Sequence, residues 1–88
     1  MTETFRRSLR GTVHSSDHSS VRVQGRTGVR YRDASRRLVV DSELMAVGYD
    51  EIVVYERSIP DDGQRDMLLG RIVKALEFDG LRVIVESR

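Results

Sequence analysis

From Val21 onward, apolar and polar residues alternate: Val21-Arg22-Val23-Gln24, then Val29-Arg30-Tyr31-Arg32. A period of two is the mark of half-buried antiparallel strands. Gly25-Arg26-Thr27-Gly28 between them predicts a hairpin with Gly28 as the left-handed bulge residue, which sets Val23 against Tyr31 and Arg22 against Arg32. Arg30 then shares their outer face. Asp33-Ala34-Ser35-Arg36 reads as a turn, and residues 37–44 as a third strand with Tyr31 beside Leu38 and Val29 beside Val40. Val47-Gly48-Tyr49-Asp50 makes the next turn. The unbroken apolar run Ile52-Val53-Val54-Tyr55 predicts a fourth strand covered in part on both faces. Whether Ile52 and Val54 or Val53 and Tyr55 turn toward the helix stays open in the pattern.

The period changes again at residues 60–80. Leu68, Leu69, Ile72, Val73, Ala75 and Leu76 recur at three- and four-residue steps, one apolar face of an α-helix. Pro60, Asp61 and Gln64 predict its start as a capping-box variant. Gly80 at C′, with Leu81 at C″ packing back on Leu76, predicts its stop. Leu81, Val83 and Val85 alternate again as a fifth strand. The strand-helix-strand unit calls for a right-handed crossover that makes its two strands parallel.

The order β-β-β-β-α-β is that of a two-layer α+β domain, a mostly antiparallel sheet of about five strands with one main helix on one face. The domain is expected over residues 21–88. Residues 1–20 are polar and read as a mobile N-terminal arm, with at most a short strand near Thr12 and Val13.

Composition narrows the class. The chain has 88 residues, a third of them charged, room for one modest core. With no cysteine, disulfides and thiolate metal sites are excluded. No apolar run approaches the roughly 20 residues of a membrane span, and Arg6, Arg7 and Arg10 precede no signal-like apolar core. A cytoplasmic protein without membrane contact is the expectation.

A net charge of +1 conceals an asymmetry. Residues 1–37 carry nine Arg against three acids, and residues 38–88 carry six bases against eleven acids. Such halves can attract each other or can bind nucleic acid. Arg22, Arg30 and Arg32 on one sheet face need acidic neighbours, because like charges directly opposed weaken a sheet. Asp41 and Glu43 on the next strand are the expected ones, with an acidic partner or a phosphate as the sharper alternative.

Other chemistry is thin. His14, Asp17 and His18 have a spacing that two metal-binding histidines could use on a helix, but the serines around them favour a loop. The Ser, His and Asp there lack the strand-turn-helix setting of a nucleophile. Gly25-Arg-Thr-Gly28 has the form of an RNA clamp but stands between strands rather than helices. No phosphate-binding glycine motif or zinc-protease motif occurs. Catalytic residues, metals and cofactors are therefore not expected. An enzyme would require a pocket that gathers His14 or His18 with acids from the body. A second candidate surface is the helix stripe Met67, Arg71, Lys74 and Phe78, opposite the core face. The sheet face away from the helix is a third, where Val39, Met45 and either Val53 or Ile52 await a homodimer, a partner or the arm.

Arg30-Tyr31-Arg32, Arg37-Leu38-Val39-Val40, Glu43-Leu44 and Glu51-Ile52-Val53-Val54-Tyr55 occur in an order that resembles the immunity protein 74 family of bacterial polymorphic toxin systems. Arg71-Ile72-Val73-Lys74-Ala75-Leu76-Glu77-Phe78-Asp79-Gly80-Leu81-Arg82-Val83 looks like that family's closing helix and strand. The resemblance implies a non-enzymatic immunity protein that neutralises a cognate toxin by binding it. Its contacts are then expected from Met67, Arg71, Lys74 and Phe78 on the helix, or Arg22, Arg30 and Arg32 on the sheet. The alternative is a small nucleic-acid-binding protein using the Arg-rich half.

Overall fold

One α-helix lies across one face of a seven-stranded sheet in the computed structural model, which describes residues 4–8, 11–45 and 50–87. The strands are β1 (Phe5–Arg7), β2 (Val13–Ser15), β3 (Ser20–Gln24), β4 (Gly28–Arg32), β5 (Arg37–Leu44), β6 (Glu51–Tyr55) and β7 (Arg82–Glu86), and the helix α1 (Arg65–Phe78) joins the last two. Every strand pairs with its neighbour in sequence. All pairs are antiparallel except β6 and β7, which run parallel as a strand-helix-strand unit requires. This is a small α+β fold. The helix packs on β2 and β3 near one edge and on β7 at the other, so the sheet curls around it.

The core follows the alternation. Val13, Val21 and Tyr31 form one buried cross-strand row, Val29 and Val40 part of the next, and Ile52 and Val54 continue the same face on β6. Against them pack Leu68, Ile72, Ala75 and Leu76 of α1, together with Ile59 from the connection that precedes it. Ile52 and Val54 are thus the residues turned toward the helix. The helix ends as expected: Gly80 has φ +89°, its N–H donates to Glu77 O, and Leu81 N–H donates to Leu76 O. That bond pair is a Schellman motif.

Four expectations are corrected. The sheet has seven strands, and the two additional ones lie within residues 5–15. β1 and β2 stand where a separate arm was expected. Val13 is only 2% exposed, paired with Val21. Phe5 stacks on Phe78 at 5.5 Å, and Arg7 Nη2 meets Asp79 Oδ1 at 2.5 Å, so the edge strand is fastened to the end of α1.

The hairpin register also differs. Val23 faces Val29, Val21 faces Tyr31 and Arg22 faces Arg30. The loop is residues 25–27, its positive φ (+61°) falls on Gly25, and Gly28 is a buried strand residue. A register two residues away keeps every side chain on its expected face, so alternation alone could not separate the two. The helix starts later than the capping box implied. Gly63 (φ +90°) turns the chain, Asp62 Oδ1 accepts from Gln64 N–H at 3.1 Å, and Gln64 is the N-cap, its side chain bonded to Arg36 rather than to the helix end. The fourth difference is on β7, where Val85 is exposed although it shares the face of Val83. The turn expected at residues 47–50 lies mostly outside the described residues.

Candidate binding face and adjoining cleft

The outer sheet face, opposite α1, is made by the residues between the core positions. Its register brings Arg22 of β3 directly opposite Arg30 of β4, Arg30 opposite Val39 of β5, and Arg32 opposite Arg37. Asp41 stands opposite Gly28. Glu43 accepts a hydrogen bond from Tyr55 Oη at 3.0 Å. The carboxylates expected to answer the arginines are thus elsewhere. Among the described residues, no carboxylate forms an ion pair with Arg22, Arg30, Arg32 or Arg37. The Gln24 carboxamide, turned with its oxygen toward Arg30, accepts from Nε at 2.8 Å. Val39 lies amid these cations and is 55% exposed.

The helix stripe does not stay together. Met67 (43% exposed), Lys74 and Phe78 face outward, with Phe78 half-covered by Phe5. Arg71 reaches into the fold. Its Nη1 donates to Tyr31 Oη at 2.9 Å and lies 3.5 Å from Asp33 Oδ2, while Nε sits 3.2 Å from Asp17 Oδ2. The Asp17 contact is an ion pair without hydrogen-bond alignment. Tyr31 Oη donates to Asp33 Oδ2 at 2.6 Å. The Asp33 Oδ1 atom accepts from the N–H groups of Ser35 and Arg36, which fixes the β4–β5 turn. Asp17 accepts from the Ser19 hydroxyl and, at 2.9 Å, from Ser19 N–H, which fixes the β2–β3 turn. One guanidinium therefore ties α1 to two turns of the sheet. No sequence signal marks this, because its partners are 38 to 54 residues away along the chain.

These contacts move the ionisation of the groups involved. Burial and the bond to Asp33 raise the Tyr31 hydroxyl from 10 to about 12. The Tyr31 hydrogen bond, outweighing burial, lowers Asp33 below the ordinary carboxylate value. Burial pushes Asp17 upward, but the bonds from Ser19 and Ser15 and the charge of Arg71 together leave it lowered. Linkage gives the sign. The two lowered carboxylates stabilise the fold above their unfolded value near 3.8 and cease to do so as acid protonates them below it. Tyr31 stabilises it below pH 10, and that contribution fades between pH 10 and about 12. Thermal melts across pH are expected to show both flanks. Tyr31→Phe removes the alkaline contribution of this residue, and Asp33→Asn makes the acid flank shallower.

Where the basic face meets β1 and β2 it deepens into a cleft of about 630 Å³ lined by Arg6, His14, Ser16, His18, Ser20 and Arg32 among others. No protein-family model matches the chain, and neither does any curated protein or solved structure. The chemistry of the site therefore stands on its own residues. His14 and His18 share the cleft with Asp33, the gathering that an enzyme would need in part. Yet both oxygens of Asp33 are committed to Tyr31, Arg71 and the turn N–H groups, so the carboxylate of the cleft lining is not free to activate either imidazole. No group of three or more metal-ligating side chains occurs among the described residues. Nor is any described helix long and apolar enough to cross a membrane.

Proposed function

We propose that the protein is a non-enzymatic binding module, an immunity protein that docks an acidic patch of its toxin on the outer sheet face. The observation that carries this reading is Arg22 directly across from Arg30, with exposed Val39 beside them and no carboxylate paired to either arginine. Two opposed guanidiniums repel, a cost the fold offsets only with the neutral Gln24 carboxamide on Arg30 and with no carboxylate. An acidic partner converts that repulsion into attraction. Arginines around an apolar centre are the usual composition of a protein interface. A nucleic-acid strand is a weaker fit, since no aromatic side chain stands on this half of the face to stack a base. The resemblance of residues 29–83 to toxin-immunity proteins points the same way.

The test is titration of the full chain with the toxin encoded beside its gene, at low and moderate salt. Arg22→Glu with Arg30→Glu reverses the local field and is expected to weaken binding about 100-fold or more, mostly through slower association. Unchanged affinity in that double variant would reject the face. If short single-stranded RNA binds instead, with an affinity that collapses as salt rises, the nucleic-acid reading replaces this one.

A further inference from the structure

The cleft beside the basic face has a donor set of its own. Arg6 pairs with His14 across β1 and β2, His14 with Ser20 across β2 and β3, and Ser20 with Arg32 across β3 and β4. These four side chains form one row on one face of the sheet. Strands lie about 4.8 Å apart, so the two arginines start roughly 14 Å apart with the imidazole and hydroxyl between them. Two long side chains leaning inward can close that gap around a group the size of phosphate. Among the described residues no ion pair engages Arg6 or Arg32. Asp33, the carboxylate in the lining, is turned to Tyr31 and Arg71.

The rim adds to this. His18 is the one non-glycine residue with a positive φ, +68°, among the described residues. A histidine there is strained, and such residues persist only when their surroundings fix them. Here the fixing is done by Asp17, bonded to Ser19 on the other side of His18 and ion-paired to Arg71 of the helix. The turn thus holds His18 in the lining of the cleft that Arg32 and Ser16 also line.

We propose that this cleft binds a phosphate dianion, free or as the terminal group of a small ester, between Arg6 and Arg32, with His14, His18 and Ser20 completing its shell. A carboxylate would satisfy only one guanidinium fork, whereas phosphate presents enough oxygens for both. The volume is that of a small-molecule site rather than a track for a polymer. Since Arg22 and Arg30 lie outside the lining, the proposal stands or falls separately from the docking face.

Calorimetric titration of the full chain with inorganic phosphate, adenosine monophosphate and adenosine tests it. Saturable binding of phosphate or the monophosphate with a Kd of about 1 mM or tighter is expected, and none of adenosine. Arg6→Gln and Arg32→Gln are each expected to weaken it about tenfold, the scale of one charge-assisted bond. Lys74→Gln, on the exposed side of α1, should leave it unchanged. Tighter binding of the monophosphate than of phosphate assigns an ester as ligand, and equal binding assigns the free ion. Adenosine binding as well as its monophosphate would overturn the proposal. So would the absence of saturation by either anion, or indifference to both arginine replacements in variants whose circular dichroism matches the parent.

Discussion

Val13→Asp is expected to lower the stability of the protein by roughly 3–5 kcal/mol, the cost of leaving an uncompensated charge in a core. In a domain of this size that is a fall in Tm of more than about 15 °C. Val13 is 2% exposed and faces Val21 in a row that continues to Tyr31. A carboxylate there faces Val21 across β3, and Arg7 across β1 is already held by Asp79, so the new charge stays without a cation of its own. His14→Asp supplies the control, because the next residue in a strand points to the opposite face. That variant is expected to melt within a few degrees of the parent. Equal melting of the two would mean that residues 5–15 are an arm laid on the domain rather than part of its sheet.

Arg71→Met is expected to cost about 2–3 kcal/mol, less than a fully buried ion pair because the guanidinium keeps some contact with solvent. A Tm lower by about 10–20 °C follows. The methionine leaves the Tyr31 hydroxyl with Asp33 alone and strips Asp17 of its cation. Arg71→Lys should recover only part of the loss, since one ammonium cannot reach three partners set around a planar fork. Lys74→Met, one turn nearer the helix end and exposed, is expected to change stability by no more than about 0.5 kcal/mol. If Arg71→Met melts like Lys74→Met, the network contributes little and Arg71 is free to serve a partner. The same variant reports on the cleft. Losing Arg71 loosens the turn that holds His18, so phosphate affinity should fall even though Arg71 does not line it.

The helix stop at Gly80, the strand at residues 37–44 and the pairings of Tyr31 with Leu38 and Val29 with Val40 could all be read in advance. Each rests on a local signal: a glycine that can turn left-handed, an alternation of period two, a turn of known length. The first hairpin failed because two registers, offset by two residues, bury the same side chains. Residues 5–15 failed because their strands are three residues long, too short for alternation to register above their polar composition. What secures them is Phe78 and Asp79, more than seventy residues along the chain.

The candidate site divides the same way. That Arg22, Arg30 and Arg32 share an outer face was legible from spacing alone, since side chains two apart in a strand point alike. That Asp41 stands opposite Gly28 rather than an arginine already follows from the pairing of Val29 with Val40, whereas the turn of Glu43 to the Tyr55 hydroxyl was decided by the tertiary structure. Arg71 looked like an exposed partner contact on a helical wheel, yet its length lets it bend past the helix edge to carboxylates on two turns of the sheet. By itself the sequence determined the α+β class, the helix with its core face and the basic first half, because these depend on neighbours within a few residues. Only the tertiary structure decided the seven-stranded curl, the inward turn of Arg71 and the row from Arg6 to Arg32. Each of those depends on pairing across the sheet, where contact partners are distant in the chain and local preference is silent.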